Sequence, residues 1–195
     1  IGAAPDDSLQ LQHVHGYNGT SCRHNLRINA DGHLVYTIAA TGVVHDVANN
    51  SQRFFLGHNE DILCMAMHPE RRVVATGQLD PKGAETPFVC IWDSCEESVP
   101  LLAKLSFHER AVRALSFSSD GKKLVSIGDD DDHCMAVWDL YLDTVPTPLP
   151  AVPSATCPSG KEAVSGVLIT RDPSHVITYG HRGCKFWTQS GASFS

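Results

Sequence analysis

The chain of 195 residues has a formal net charge of −7 and is 42% hydrophobic and 19% charged, the balance of a globular protein with a core of its own. An acidic chain is a poor fit to duplex nucleic acid, whose binding rests on many Lys and Arg contacts to phosphate. No stretch approaches the roughly 20 apolar residues of a membrane helix, and residues 1–10 lack the basic-then-apolar layout of a secretion signal, so a soluble intracellular protein with no membrane partner is expected.

In chain order, residues 1–10 read as a leader and residues 11–33 carry no clear periodicity. From there, short β-rich runs bounded by turn residues follow one another, at 34–39, 43–47, 53–56, 62–67, 73–76 and 88–92. They continue at 112–117, 123–127, 135–138, 164–170, 176–179 and 184–187. No window of eleven residues sustains a helical apolar period without a turn residue breaking it, so the chain is predicted all-β and antiparallel. Residues 143–160, rich in Pro, Ser and Thr, read as an inserted surface loop. The seven cysteines (Cys22, Cys64, Cys90, Cys95, Cys134, Cys157 and Cys184) are odd in number and form no C-x-x-C pair. They read as reduced thiols, mostly in the core.

The runs repeat. Gly57-His58, 62–67, Val73 to Gly77 and Ile91-Trp92-Asp93 make one copy; Phe107-His108, 112–117, Leu124 to Gly128 and Val137-Trp138-Asp139 make the next. A weaker third runs through 164–170, 176–180 and Lys185-Phe186-Trp187. The tryptophans are spaced 138 − 92 = 46 and 187 − 138 = 49 residues apart, close to the ~40 to 45 of a WD40 propeller blade. The chain thus divides into 11–56, 57–95, 96–142, the 143–160 loop and 161–195: a partial WD40-type β-propeller of about three to four blades, where propellers close with typically about four to eight.

The repeat is similar to the WD40 pattern of a buried hydrogen-bond chain through histidine, serine or threonine, aspartate and tryptophan. Carried over by position, His58, Thr76 and Trp92 form one set and His108, Ser126 and Trp138 another, with Trp187 marking the third copy. The aspartate stays open between Asp80 in the first set and any of Asp129 to Asp132 in the second. A catalytic Ser-His-Asp reading lacks the turn that would expose the hydroxyl, since each Ser or Thr falls mid-strand. His13 with His15, and His181 with Cys184, have no second pair at a metal-binding distance, so no metal or other cofactor is expected. The Asp129 to Asp132 run reads as a solvated turn. The arginine pairs Arg23 with Arg27, Arg71 with Arg72, and Arg110 with Arg113 read as solvated surface.

Residues 11–26 do not match a blade. Gly16, Tyr17, Gly19, Cys22, Arg23, Asn25 and Leu26 resemble the HELP motif of the echinoderm microtubule-associated protein-like (EMAP-like) family, with Asn18 standing where that family has arginine. The resemblance extends through Met67-His68-Pro69, Ala75-Thr76-Gly77-Gln78 and Trp92-Asp93-Ser94. It implies a structural HELP block at the closure of a propeller, with Tyr17 packed into the joint and Arg23 held there or offered to a partner. It also implies a longer parent with more repeats, so that the final strand here is expected to look exposed.

The function implied is a non-catalytic scaffold whose rims contact tubulin or microtubules, and other cytoskeletal proteins, in the cytoplasm and cytoskeleton, with a cilium or flagellum axoneme as one setting. The alternative is a WD40 adaptor that assembles other protein complexes. No phosphate-cradling loop, activated nucleophile or carboxylate pair supports an enzyme.

Overall fold

Continuous apolar runs such as Phe88-Val89-Cys90-Ile91-Trp92 suit strands covered on both faces, and every residue of that run is buried. The structure, a computed structural model, describes residues 9–20, 22, 24–80, 86–141 and 152–195. Its strands form four antiparallel sheets, each a meander of four strands in chain order. The first sheet comprises β1 (Leu26–Ile28), β2 (Leu34–Ile38), β3 (Thr41–Asp46) and β4 (Ser51–Phe55). The second comprises β5 (Ile62–Met67), β6 (Val73–Gln78), β7 (Phe88–Asp93) and β8 (Leu101–Ser106). The third is β9 (Val112–Phe117), β10 (Lys123–Gly128), β11 (Cys134–Asp139) and β12 (Ala155–Pro158). The fourth is β13 (Val164–Ile169), β14 (His175–Gly180), β15 (Gly183–Ser190) and β16 (Ser193–Phe194). These are four blades of a partial WD40-type propeller.

The core lies between blades. Val35, Val44 and Phe55 of the first sheet meet Met65, Val74 and Trp92 of the second. Ala75, Val89 and Ile91 of the second meet Leu124 and Trp138 of the third, and Val125, Met135 and Val137 of the third meet Val167, Val176 and Trp187 of the fourth. Each tryptophan therefore faces the preceding blade. Trp92 stacks on Phe55 with centroids 4.9 Å apart and planes at 3°. Gly42 makes the room, since a Cβ there would stand 3.0 Å from Trp92 and 3.2 Å from Phe55.

Two differences from the sequence reading follow from backbone pairing. Residues 143–151 of the expected 143–160 loop lie outside the described residues, but Ala155–Pro158 is the strand β12, bonded to β11 from Cys134↔Pro158 to Val137↔Ala155. An outermost strand needs partners on one side only, and Pro158 at its end is tolerated for that reason. The strand β8 completes the second sheet although it follows Trp92-Asp93, so blades run one strand past the repeat cut at Trp-Asp. The final strand β16 is bonded to β15, and this last blade exposes Leu168 by 53% and Phe186 by 73%.

The innermost strands share an irregularity. Leu63, Arg113 and Ser165, each the second residue of its strand, are skipped in the pairing of β5 with β6, β9 with β10 and β13 with β14. These bulges turn the skipped residues toward the centre of the arc.

Candidate functional site

The polar residues of the repeat converge between strands. In the second blade, Trp92 Nε1 donates to Thr76 Oγ1 at 3.1 Å, and Thr76 Oγ1 lies 2.7 Å from His58 Nε2. His58 Nδ1 is 2.8 Å from Gln78 Oε1, and Gln78 Nε2 donates to Asn59 Oδ1 at 2.7 Å. Because the amide oxygen can only accept, Nδ1 carries the proton, Nε2 accepts from the threonine hydroxyl, and every group is satisfied. The place left open for aspartate is filled by Gln78, not Asp80. Burial pushes the His58 imidazole down to about 4, so it is neutral.

The third blade repeats the core of this arrangement. Trp138 Nε1 donates to Ser126 Oγ at 3.0 Å, and His108 Nε2 lies 2.7 Å from the same oxygen. Of the four aspartates, Asp130 is the buried one that acts on His108, and its Oδ1 accepts the backbone N–H groups of Asp132 and Cys134 to shape the turn. A Cβ on Gly128 would stand 2.5 Å from His108 Nδ1 and 2.7 Å from Asp130 Oδ2, so glycine keeps that gap clear. Burial depresses His108 to about 4 as well. In the fourth blade Trp187 Nε1 donates to Thr178 Oγ1 at 2.9 Å. His58 and His108 each precede their inner strand by four residues (62 − 58 and 112 − 108), and the same step from β13 falls on Gly160 (164 − 160). The Lys185 ammonium, donating to Ser159 O at 2.7 Å, stands 2.7 Å from where a Gly160 Cβ would be.

The leading segment is pinned to the first two blades. Tyr17 donates to Asn25 Oδ1 at 2.6 Å and meets Tyr36 edge-on at 6.1 Å, yet stays 54% exposed, only half in the joint. Asn25, buried, donates to Asn18 O at 2.7 Å, and Asn18 Nδ2 donates to Cys22 Sγ at 3.5 Å. The Cys22 thiol donates to Ile62 O at 3.2 Å, which ties the segment to β5 of the next blade. Gly16 lies against Ile38, 2.1 Å from Cδ1 to an added Cβ, and Gly19 lies over the Tyr17 ring. Gln52 of β4 clasps the Val14 backbone, accepting from its N–H at 2.8 Å and donating to its carbonyl at 3.2 Å. Arg23 lies outside the described residues. Gln52, Gln78 and the buried Asn29, which donates to Ser94 O at 2.9 Å and so joins the first two blades, carried no signal in the repeat pattern.

Residues 51–195 match the family model described as the first beta-propeller of echinoderm microtubule-associated protein, and residues 4–43 match the HELP motif. The chain belongs to the echinoderm microtubule-associated protein family. It is 35% identical to human echinoderm microtubule-associated protein-like 2, over 98% of this chain and 29% of that protein. Human echinoderm microtubule-associated protein-like 1 is 32% identical over 98% of this chain and 23% of its own length. The 77 kDa echinoderm microtubule-associated protein of Strongylocentrotus purpuratus is 33% identical, over 96% and 28%. The chain thus spans under a third of these relatives. Among solved structures, apo ctPRC2 in an autoinhibited state superposes with a TM-score of 0.67 at 17% identity, covering 80% of this chain and 34% of that one, a likeness of fold.

In this EMAP-like chain the pairs of His58 with Thr76 and His108 with Ser126 are buried inside blades. Among the described residues, no group of three or more His, Cys, Asp or Glu is arranged to hold a metal ion, and no helix is long and apolar enough to cross a membrane. The groups left for contact lie on the loops and along the centre of the arc. On the loops, Arg110 pairs with Asp131 and Arg72 with Asp93 and Glu96, so these arginines are surface ion pairs.

Proposed function

We propose that this chain is a non-catalytic scaffold segment of a microtubule-associated protein and contributes loop and rim surface to contact with tubulin or the microtubule lattice. The observation that carries the reading is the fate of the reactive side chains: His58, Thr76, His108 and Ser126 are all buried in hydrogen-bonded pairs, and both imidazoles are held neutral. A rigid blade stack with charged, exposed turns suits protein contact. The names of the relatives, all microtubule-associated proteins, support the choice of partner. Location on the cytoskeleton follows from that partner, and an axoneme is one such lattice.

Co-sedimentation of the full-length protein with polymerised tubulin at low and high salt tests this. Pelleting that weakens as salt rises is expected, because loop charges are screened. Absence from the pellet at low salt would move the function to an adaptor that gathers other proteins.

A further inference from the structure

The second residues of the inner strands do not end in the blade cores. The bulges that skip Leu63, Arg113 and Ser165 deliver all three into one groove of about 450 Å³ at the centre of the arc, where Arg27 of β1 joins them. A bulge recurring at one position in three blades is a device for aiming side chains.

The charge of this groove opposes that of the chain. The protein has 22 acidic residues and a net charge of −7, yet among the described residues no Asp or Glu lines the groove, while His24, Arg27 and Arg113 do. Arg113 is paired with Asp129, which is not among the groove's lining residues, whereas among the described residues the Arg27 guanidinium donates to the carbonyl of its neighbour Leu26. Between the cations the walls carry Leu63, Met67 and Leu115, all partly buried. Methylene stems pack well on such a surface, and methionine adapts to irregular partners.

We propose that this groove binds an acidic peptide segment, whose carboxylates reach Arg27 and Arg113 while its aliphatic stems lie on the leucine and methionine walls. Glutamate side chains supply both parts. The groove is too small, and the surrounding chain too acidic, for a nucleic-acid duplex. The inference goes beyond microtubule association and does not depend on it: a protein that fails to pellet with polymerised tubulin but binds the peptide leaves the groove assignment intact, and the converse leaves the scaffold reading intact.

The test is a fluorescence-anisotropy titration of the full-length protein with a short glutamate-rich peptide and with its glutamine counterpart, at low and high salt. The glutamate peptide is expected to bind roughly tenfold more tightly than the glutamine one, about one charge-assisted contact's worth, and the margin shrinks with salt. Arg27→Glu should remove that margin, and Arg27→Lys should keep most of it. Arg110→Glu, outside the groove, should leave it unchanged. Among the described residues the Arg27 side chain hydrogen-bonds to the Leu26 carbonyl of its own strand, so Arg27→Glu should unfold near the wild-type midpoint; should it not, Arg113→Gln provides the same reading. Equal binding of the two peptides, wild-type binding by Arg27→Glu, equal losses in Arg27→Glu and Arg110→Glu, or displacement of the peptide by inorganic phosphate at matched charge would each overturn the proposal.

Discussion

The second and fourth blades place a tryptophan on the third strand and a threonine on the second, joined by an indole N–H to hydroxyl bond of 3.1 and 2.9 Å. Around that common bond they differ. Trp92 is fully buried, stacked on Phe55, and its threonine is extended through His58 to Gln78 and Asn59. Trp187 is partly exposed, and Gly160 and Lys185 stand where the histidine would be. The indole-to-hydroxyl bond is thus the minimum that the strand register sets up by itself. The histidine extension is an addition that stiffens a blade enclosed by neighbours, because in a dry interior each further polar group must find a partner.

Truncating the two tryptophans gives the widest separation. Trp92→Ala opens a cavity against Phe55 and strips Thr76 of a donor, and about 3–5 kcal/mol should be lost, enough to abolish cooperative unfolding at moderate urea. Trp187→Ala removes a side chain that is already partly solvated and should cost about 1–2 kcal/mol. Urea midpoints followed by circular dichroism compare them; equal losses would mean that the two blades are equally packed.

Removing only the hydroxyl sharpens the comparison. Thr76→Val leaves both the Trp92 N–H and the lone pair of His58 Nε2 without their partner, and should cost about 2–3 kcal/mol. Thr178→Val strands one indole N–H at a partly exposed site and should cost about 1 kcal/mol. If the second-blade variant were no worse than the fourth, the histidine extension would contribute nothing to stability.

The same asymmetry predicts a pH dependence. Burial holds His58 and His108 at about 4, below the ordinary 6.5, so between these values the unfolded chain binds more protons than the folded one. Their contribution is complete above the unfolded value and is lost as pH falls from there through the folded one. Each should remove about 1–2 kcal/mol by about pH 5. Gln78→Glu sets a carboxylate against His58 Nδ1, stabilises the imidazolium, and should flatten the slope. The fourth blade has Gly160 at this position and offers no such group. An acid slope unchanged in Gln78→Glu would show that His58 does not titrate in folding.

Central strands were legible because they are apolar on both faces, and Trp92, Trp138 and Trp187 dated the repeat. The outer strands β8, β12 and β16 were not. They bond along one edge, and a sequence such as Ala155-Thr156-Cys157-Pro158 suffices once β11 offers its backbone. The innermost β1 is three residues long and carries no period at all. Of the site, the His58, Thr76 and Trp92 set follows from the resemblance to the WD40 pattern, but that pattern implies an aspartate as the acceptor beyond His58, where the structure has Gln78. Gln78 serves because an amide oxygen accepts as a carboxylate does, a substitution that position alone does not reveal. The groove was invisible for a different reason: Arg27 and Arg113 each read as half of a local surface pair, and only the bulged register brings them to one place.

Glycine substitutions probe the smallest difference, between a blade limited by packing and one limited by backbone. At Gly42 the backbone suits any residue, but a Cβ would press on Trp92 at 3.0 Å and Phe55 at 3.2 Å, and a stacked, fully buried indole has little room to give. At Gly183 nothing lies within 4 Å, but φ is +137°, which side chains rarely adopt. Alanine at either site should cost about 1 kcal/mol or less, so the midpoints alone do not separate the causes. A double-mutant cycle does. Phe55→Leu frees space beside Gly42 and should recover part of the Gly42→Ala loss, a coupling of about 0.5 kcal/mol or more, while with Gly183→Ala it should be additive, since the two sites share no neighbour. Additivity at Gly42 would mean that the Phe55 and Trp92 stack shifts freely, and that the second blade is no more tightly packed than the fourth.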